Sequence, residues 1–175
     1  PLVRDMDAAL VTVGDELLAG DTENTNATWL ARELSERGVD VRRVLTVPDV
    51  AAEIADAVRE YAGRYDAVIV TGGLGGTPDD LTMDAVATAF DLPLEPNDLA
   101  RADLERTLEA IAGDYPELDV DIEAEASLPA GARPLINDAG LSPGAVVANV
   151  AVLPGIPGEM HAMFAAVADG FPVDG

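Results

Sequence analysis

One segment of this chain constrains its fold more than any other: an apolar strand pattern that leads directly into a glycine-rich loop. Residues 67–70 are Ala-Val-Ile-Val, and residues 71–82 follow with four glycines and two aspartates before a helical pattern begins. Backbone without side chains can approach an anion closely, and the N–H groups at the start of the next helix point toward it. The segment therefore predicts a phosphate site after a buried strand, with ligand contacts from Gly72, Gly73, Gly75, Gly76, Thr77 and Asp79.

Strand and helix patterns alternate before and after this loop. Apolar runs at residues 8–13 and 39–47 predict two more strands, and apolar residues at helical spacing predict helices that end at Gly38 and Gly63. Such alternation indicates βαβ units with right-handed crossovers. The sequence therefore predicts an α/β fold with a mostly parallel sheet that helices cover on both faces.

The C-terminal part of the chain is patterned differently. Residues 113–125 are acidic and weakly patterned, which predicts a surface excursion, and residues 146–153 predict a small tight hairpin before a last helix. The length suits one domain with a sizeable core. We predict a single domain over residues 8–169, with short tails at 1–7 and 170–175.

Charge is the second strong signal. The chain has 33 acidic residues against 10 basic ones, all of them arginine, for a formal net charge of −23. Such a chain repels itself in dilute salt, because the Debye length is about 8 Å at physiological ionic strength and about 3 Å at 1 M. We expect a protein of a salt-rich cytoplasm; an acidic protein from an ordinary cell is the alternative. No arginine cluster exceeds Arg42-Arg43, which disfavours nucleic-acid binding.

Other residue types exclude further classes of function. Without cysteine the chain has no disulfide, thiolate zinc site or iron–sulfur cluster. One histidine, His161, is too few for a multi-histidine metal site, and we expect it to be a surface or packing residue rather than a catalyst. No apolar run approaches the roughly 20 residues that span a membrane, and no signal-type segment is visible, so we expect a cytoplasmic protein that does not bind membranes.

Acidic residues follow each of the first three predicted strands. Glu16 follows the first, Asp49 follows the second, and Asp80 lies beyond the glycine loop after the third. Ligands bind at the carboxyl ends of the strands in open α/β sheets, so we expect these acids to lie together. Carboxylates suit a hard cation such as Mg²⁺, so the sequence favours a site for a metal ion and its ligand at this edge.

Three familiar motifs do not explain the glycine segments. The chain has no lysine for a P-loop, and Pro78 stands where the third glycine of a dinucleotide fingerprint is needed. Residues 140–144 match the hydrolase nucleophile pattern around Ser142, but Pro143 has no N–H to hold the oxyanion. Ser142 is therefore not expected to be a nucleophile.

Several segments, taken in order, resemble one known family. They are residues 14–20 (Gly-Asp-Glu-Leu-Leu-Ala-Gly), 24–27 (Asn-Thr-Asn-Ala), the glycine loop with residues 79–82 (Asp-Asp-Leu-Thr), and 153–155 (Leu-Pro-Gly) followed by Pro157 and Glu159-Met160. Together they resemble the MoaB/Mog fold, specifically the N-terminal domain of CinA-like proteins, over almost the whole chain. The resemblance implies a three-layer α/β/α sandwich that binds molybdopterin-type ligands and assembles as a homo-oligomer, with a trimer favoured.

The resemblance also implies a chemistry. Proteins with this fold transfer adenylate from ATP to molybdopterin or insert the metal, and CinA-type domains are associated with metal-dependent cleavage of ADP-ribose. Glu16, Asp49 and Asp80 match family acids. The resemblance implies that Asp49 and Asp80 hold Mg²⁺, that Glu16 positions a ligand or water, and that all three are candidate catalytic residues. Its motifs also imply ligand contacts from Asn26, Pro154 and Gly155.

Two functions follow from these residues as expectations. The first is a Mg²⁺-dependent enzyme that acts on a phosphate-containing pterin or nucleotide, by adenylyl transfer or by cleavage of a pyrophosphate bond. The second is a ligand-binding or oligomerisation module that has lost turnover. Gly76 and Pro78, which replace a usual proline and a frequent lysine of the family, are consistent with the second.

Overall fold

The computed structural model describes residues 6–75, 77 and 79–170. Its main sheet has six strands, numbered here in chain order with the two strands of a smaller antiparallel sheet, β4 and β5. The strands are β1 (Met6–Val13), β2 (Val39–Val47), β3 (Ala67–Thr71), β4 (Leu94–Pro96), β5 (Ser127–Pro129), β6 (Arg133–Leu135), β7 (Gly144–Val147) and β8 (Val150–Leu153).

Helices connect most of these strands. Among the described residues they are α1 (Asp15–Leu18), α2 (Thr25–Glu36), α3 (Ala51–Arg64), α4 (Thr82–Ala89), α5 (Asp98–Ile111), α6 (Ile122–Glu125) and α7 (Pro157–Ala168). In none of these residues is there a helix long and apolar enough to cross a bilayer.

The main sheet has the strand order β2-β1-β3-β8-β7-β6. The first four of these strands are parallel, and β7 and β6 run antiparallel to their neighbours. The predicted α/β fold with a mostly parallel sheet is therefore confirmed. The carboxyl ends of β1, β2, β3 and β8 meet along one edge, and this edge positions the candidate site.

Alternating side chains of the central strands fill two separate hydrophobic cores. In β1, Ala9, Val11 and Val13 pack on one face with α3 and α4, whereas Ala8 and Leu10 pack on the other with α2 and α7. β3 and β8 follow the same period of two. Both faces are covered, as continuous apolar strands require.

The C-terminal half departs from the expectations in two places. The predicted hairpin exists as β7 and β8, but β8 pairs with β3 in the middle of the main sheet. The stretch 113–125 is mostly exposed, as expected of a surface excursion, but it ends in the short helix α6, whose last residue, Glu125, is partly buried. One helical turn, α1, also stands where a plain loop was expected after β1.

The glycine loop leaves β3 through two residues with positive φ. Gly72 has φ of 93° and Gly73 has φ of 67°. A Cβ atom on Gly72 would press against the carbonyl oxygen of Val13, and one on Gly73 would press against the hydroxyl of Thr82. Gly72 N–H also donates to the carbonyl of Leu153 at 3.2 Å. Only glycine fits at these two positions.

We expect Gly72→Ala to destabilise the domain by at least about 2 kcal/mol, because a positive φ alone costs an L-residue roughly 1–2 kcal/mol and the contact with Val13 adds to it. Urea unfolding in molar KCl measures the change.

Gly63→Ala is the matched control, since Gly63 lies in the exposed face of α3 with nothing within 4 Å of an added Cβ. It should stabilise the domain by about 0.5–1 kcal/mol. Equal effects of the two substitutions would contradict this account of the loop.

Candidate functional site

A cavity of about 380 Å³ lies where the four parallel strands end. We call it the sheet-edge cavity. Gly14 follows β1, Asp49 follows β2, Gly72 follows β3 and Gly155 follows β8, and all four line it. Its described lining also includes Glu16, Glu23, Asn26, Gly73, Asp79 and Asp80.

The structure brings most of the predicted site residues together. Glu16, Asn26, Asp49, Gly72, Gly73, Asp79, Asp80 and Gly155 all line the sheet-edge cavity. Gly75, Thr77 and Pro154 instead line a larger neighbouring cavity of about 950 Å³, which we call the outer cavity. Asp80 and Gly155 line both. Gly76 lies outside the described residues. The roles assigned to these residues remain predictions.

Asp49 is tied to the loop after β1 by a reciprocal pair of hydrogen bonds. The N–H of Asp15 donates to Asp49 Oδ2 at 3.1 Å, and the N–H of Asp49 donates to Asp15 Oδ1 at 3.0 Å. This pair holds the ends of β1 and β2 side by side and fixes the Asp49 carboxylate at the cavity. Asp15 belongs to the acidic segment that was expected at this edge, but it was not assigned a role from the sequence.

Like charges surround Asp49. Burial raises its pKa above the ordinary 3.8, the hydrogen bond from the Asp15 backbone lowers it, and the charges of Asp15, Glu16 and Asp79 raise it again. The net direction is upward. The carboxylates of this group are therefore close enough to repel one another.

The Asp80 carboxylate folds back onto its own loop. Its Oδ2 accepts from the N–H of Thr77 at 3.0 Å and from the Thr77 hydroxyl at 2.8 Å. A Cβ on Gly75 would lie 2.5 Å from the same oxygen, so a glycine there leaves room for the carboxylate. Asp80 thus stands at the boundary between the two cavities.

Glu125 lines the outer cavity and was not anticipated. The Ser142 hydroxyl donates to its Oε1 at 2.8 Å. Burial raises the pKa of Glu125, the bond from Ser142 lowers it, and the charge of Asp80 raises it, with a net upward direction. No sequence motif marks Glu125, because its burial arises from the packing of α6 against the loop that carries Ser142. Ser142 itself is buried.

Trp29 and His161 lie apart from these acids. Their rings stack with centroids 4.0 Å apart, and Trp29 also meets the edge of Phe164. Both belong to the contact between α2 and α7, where Phe164 is buried in the core. The expected packing role of His161 agrees with this placement.

The sheet-edge cavity is rich in hard oxygen atoms and poor in positive charge. Among its described lining residues are the five carboxylates of Glu16, Glu23, Asp49, Asp79 and Asp80, and no arginine or histidine. None of the ion pairs in the described part of the chain includes any of the five. Within the same residues, no three acidic or histidine side chains are grouped closely enough to cage a metal.

Comparison with known proteins identifies the fold and the sequence family. Residues 9–171 match the family model described as a probable molybdopterin binding domain. A CinA-like protein of Citrifermentans bemidjiense is 45% identical over 162 residues, which cover 90% of this chain and 38% of that protein. A protein of Aeropyrum pernix is 44% identical over 167 residues, covering 90% of this chain and 59% of that one. The chain thus spans only part of the length of these curated relatives.

Two solved structures agree with this family and fold. The protein CinA, of unknown function, from Thermoplasma acidophilum is 33% identical, with a TM-score of 0.86 over 95% of this chain and 99% of that chain. The tungsten cofactor synthesizing protein MoaB from Pyrococcus furiosus is 19% identical, with a TM-score of 0.60 over 95% of this chain and 92% of its own. The second likeness concerns the fold alone, which is the MoaB/Mog-like α/β sandwich.

The partly buried carboxyl of Glu125 gives a pH-dependent prediction. Because its folded-state pKa is raised, the stability it contributes is complete below the ordinary value of 4.5 and is lost as the pH rises through the raised pKa. Glu125→Gln keeps an acceptor for Ser142 and removes the charge. We expect this variant to melt at a higher temperature than the wild type at pH 7.

The difference should disappear below pH 4.5, where the wild-type carboxyl is itself protonated. Thermal melts at several pH values measure it. Glu109→Gln, at an exposed position of α5, controls for the general loss of one negative charge. A Glu125→Gln effect that is the same at every pH would contradict the assignment.

Proposed function

Since the chain belongs to the molybdopterin binding domain family, and within it resembles the CinA-like proteins, we propose that it binds a phosphate-containing pterin or nucleotide together with Mg²⁺ at the sheet-edge cavity. We propose further that it cleaves a pyrophosphate bond such as that of ADP-ribose, or transfers adenylate. The observation that carries the proposal is the convergence of bare glycine backbone and five carboxylates at the ends of four parallel strands.

Charge makes a cation necessary for such a ligand. A phosphate that enters a cavity with five carboxylates and no described basic side chain meets strong repulsion. Mg²⁺ suits this donor set, because it prefers carboxylate oxygens and is commonly held by one or two carboxylates plus phosphate and water. Asp49 and Asp80 are our proposed ligands, and Mg²⁺ bound there would supply charge compensation and polarise a phosphoryl oxygen.

The protein backbone provides the anion cradle. Gly72 and Gly73 leave the loop without side chains, and α2 begins at the same cavity. Among the helices of residues 6–75, 77 and 79–170, α2 is the one without an acidic residue in its first turn. Its positive end is therefore not neutralised from within, and it favours a phosphate oxygen there.

Glu16 is placed to position a ligand or a water molecule. Its carboxylate folds back over Gly14, where an added Cβ would lie 2.5 Å from Glu16 Oε1. Glycine at position 14 thus leaves space for the carboxylate at the end of β1. In hydrolysis of ADP-ribose, the oxygen of water bonds to phosphorus as the bridging P–O bond breaks, giving AMP and ribose 5-phosphate. A carboxylate that orients the attacking water would serve this step.

A second candidate function is a binding module without turnover. What favours it is that the oxygens of Asp49 and Asp80 already accept hydrogen bonds from Asp15 and Thr77. Product assays with ADP-ribose, and separately with ATP plus molybdopterin, in molar KCl with Mg²⁺ distinguish the two. Binding without product would support the module.

We expect Asp49→Asn and Asp80→Asn each to weaken Mg²⁺-dependent binding of ADP-ribose at least about tenfold, since one metal ligand of charge −1 is lost. Asparagine keeps an acceptor for the Asp15 and Thr77 donors. Without Mg²⁺ the same variants should bind ADP-ribose more tightly than the wild type, because repulsion falls. Calorimetric titration with and without Mg²⁺ measures both effects.

Asp40→Asn, at an exposed position near the opposite end of β2, is the control for charge alone. It should change neither affinity appreciably in molar KCl. Binding of ADP-ribose that is as tight in the Asp49 and Asp80 variants as in the wild type, with Mg²⁺ present, would remove the basis for this placement.

A further inference from the structure

One buried polar atom at the sheet-edge cavity has no partner within the described chain. Asn26 lies in the first turn of α2 and is 9% exposed. Its Nδ2 donates to the carbonyl oxygen of Gly155 at 2.8 Å, whereas its Oδ1 is buried without a hydrogen bond. The Gly155 bond fixes which way the amide faces, because the opposite orientation would set two oxygens against each other. Oδ1 is therefore an unpaired, buried acceptor on a residue that lines the cavity.

An unpaired buried acceptor destabilises a protein, so its presence at a cavity points to a ligand that completes it. The position of Asn26 agrees with a ligand contact, because Gly155, to which it is bonded, packs closely on the glycine loop. An added Cβ on Gly155 would lie 3.0 Å from the Cα of Gly72. The Asn26 amide is thus attached directly to the two backbone segments that form the proposed phosphate cradle.

The chemistry of Oδ1 limits what it binds. An amide oxygen accepts from an O–H or N–H group and repels a phosphate oxygen. The amide also carries no net charge. In a cavity of five carboxylates it can therefore accept a hydrogen bond from a donor without adding to the repulsion of an anion. A hydroxyl or an amino group of the phosphate ligand is the group that it suits.

We infer that Asn26 is a specificity-determining residue that accepts a hydrogen bond from a hydroxyl or amino group of the phosphate ligand. This inference rests on the proposed function and deepens it. A sugar hydroxyl and a base amine are the two sources of such a donor in a nucleotide. Sites built to pair a donor reject analogues that lack it, because the site's own polar atom is left unpaired.

The test compares ligands and variants together. Affinities for ADP-ribose are measured in molar KCl with Mg²⁺, beside analogues that each lack one ribose hydroxyl or the 6-amino group of adenine. The wild type should bind one of these analogues about tenfold more weakly than ADP-ribose. Asn26→Ala should bind ADP-ribose and that analogue equally, and the analogue that loses affinity identifies the donor as hydroxyl or amine.

Two further variants keep the test decisive. Asn26→Leu preserves the side-chain volume without an acceptor and should behave as Asn26→Ala does, even if one of the two folds poorly. Asn149→Ala also removes an amide that donates to backbone carbonyls, those of Ala62 and Tyr65, but at the amino end of β8. It should lower stability and leave the discrimination intact.

The outcomes separate the inference from the proposed function. Failure of the wild type to bind ADP-ribose or ATP with Mg²⁺ would overturn both. Binding with discrimination that survives in Asn26→Ala and Asn26→Leu would overturn the inference alone. A loss of affinity for Mg²⁺ in Asn26→Ala and Asn26→Leu, measured without nucleotide, would also overturn the inference, since Oδ1 would then be a metal ligand.

Discussion

The close passage of Gly72 over the carbonyl of Val13 governs the geometry of the whole sheet edge. It brings the end of β3 against the end of β1, and the Gly72 N–H then reaches the carbonyl of Leu153 at the end of β8. The reciprocal bonds between Asp15 and Asp49 add the end of β2. The ends of β1, β3 and β8 are thereby held in contact through backbone, and the carboxylates of Asp15 and Asp49 tie the end of β2 to that of β1. A rigid scaffold with functional groups in its loops is the arrangement expected of a binding site.

Repulsion between carboxylates is the main electrostatic feature of this sheet edge. Like charges and burial together hold the pKa of Asp49 above its ordinary value, and burial with the charge of Asp80 does the same to Glu125. Repulsion of this kind is a cost in the empty protein that a cation relieves on binding. The acidic residues 79 and 80 thus face two different neighbours, Asp49 on one side and Glu125 on the other. Asp79 lines the sheet-edge cavity, and the adjacent Asp80 lines both cavities.

The local pattern of apolar residues was sufficient to predict the parallel part of the sheet, because the period of two in strands and the apolar stripes of helices are short-range signals. It also placed Glu16, Asp49 and Asp80 at one cavity, since acids that follow parallel strands share an edge. It did not reveal the burial of Glu125 or the position of β8 beside β3, because both depend on contacts between distant segments. The unpaired Oδ1 of Asn26 was equally invisible, since the side chain's orientation depends on the carbonyl of Gly155. The ligand and the oligomeric state remain predictions.

The central position of β8 has a consequence for how the domain is made on the ribosome. Val68 of β3 pairs with Val150 of β8, so the middle of the sheet joins segments that are far apart in the chain. β1, β2 and β3 emerge early and can associate, but one flank of β3 stays open until β8 has been translated. An apolar strand edge exposed for that interval is prone to association with other nascent chains. At low ionic strength the dense negative charge of the chain opposes such encounters, whereas molar salt screens this repulsion.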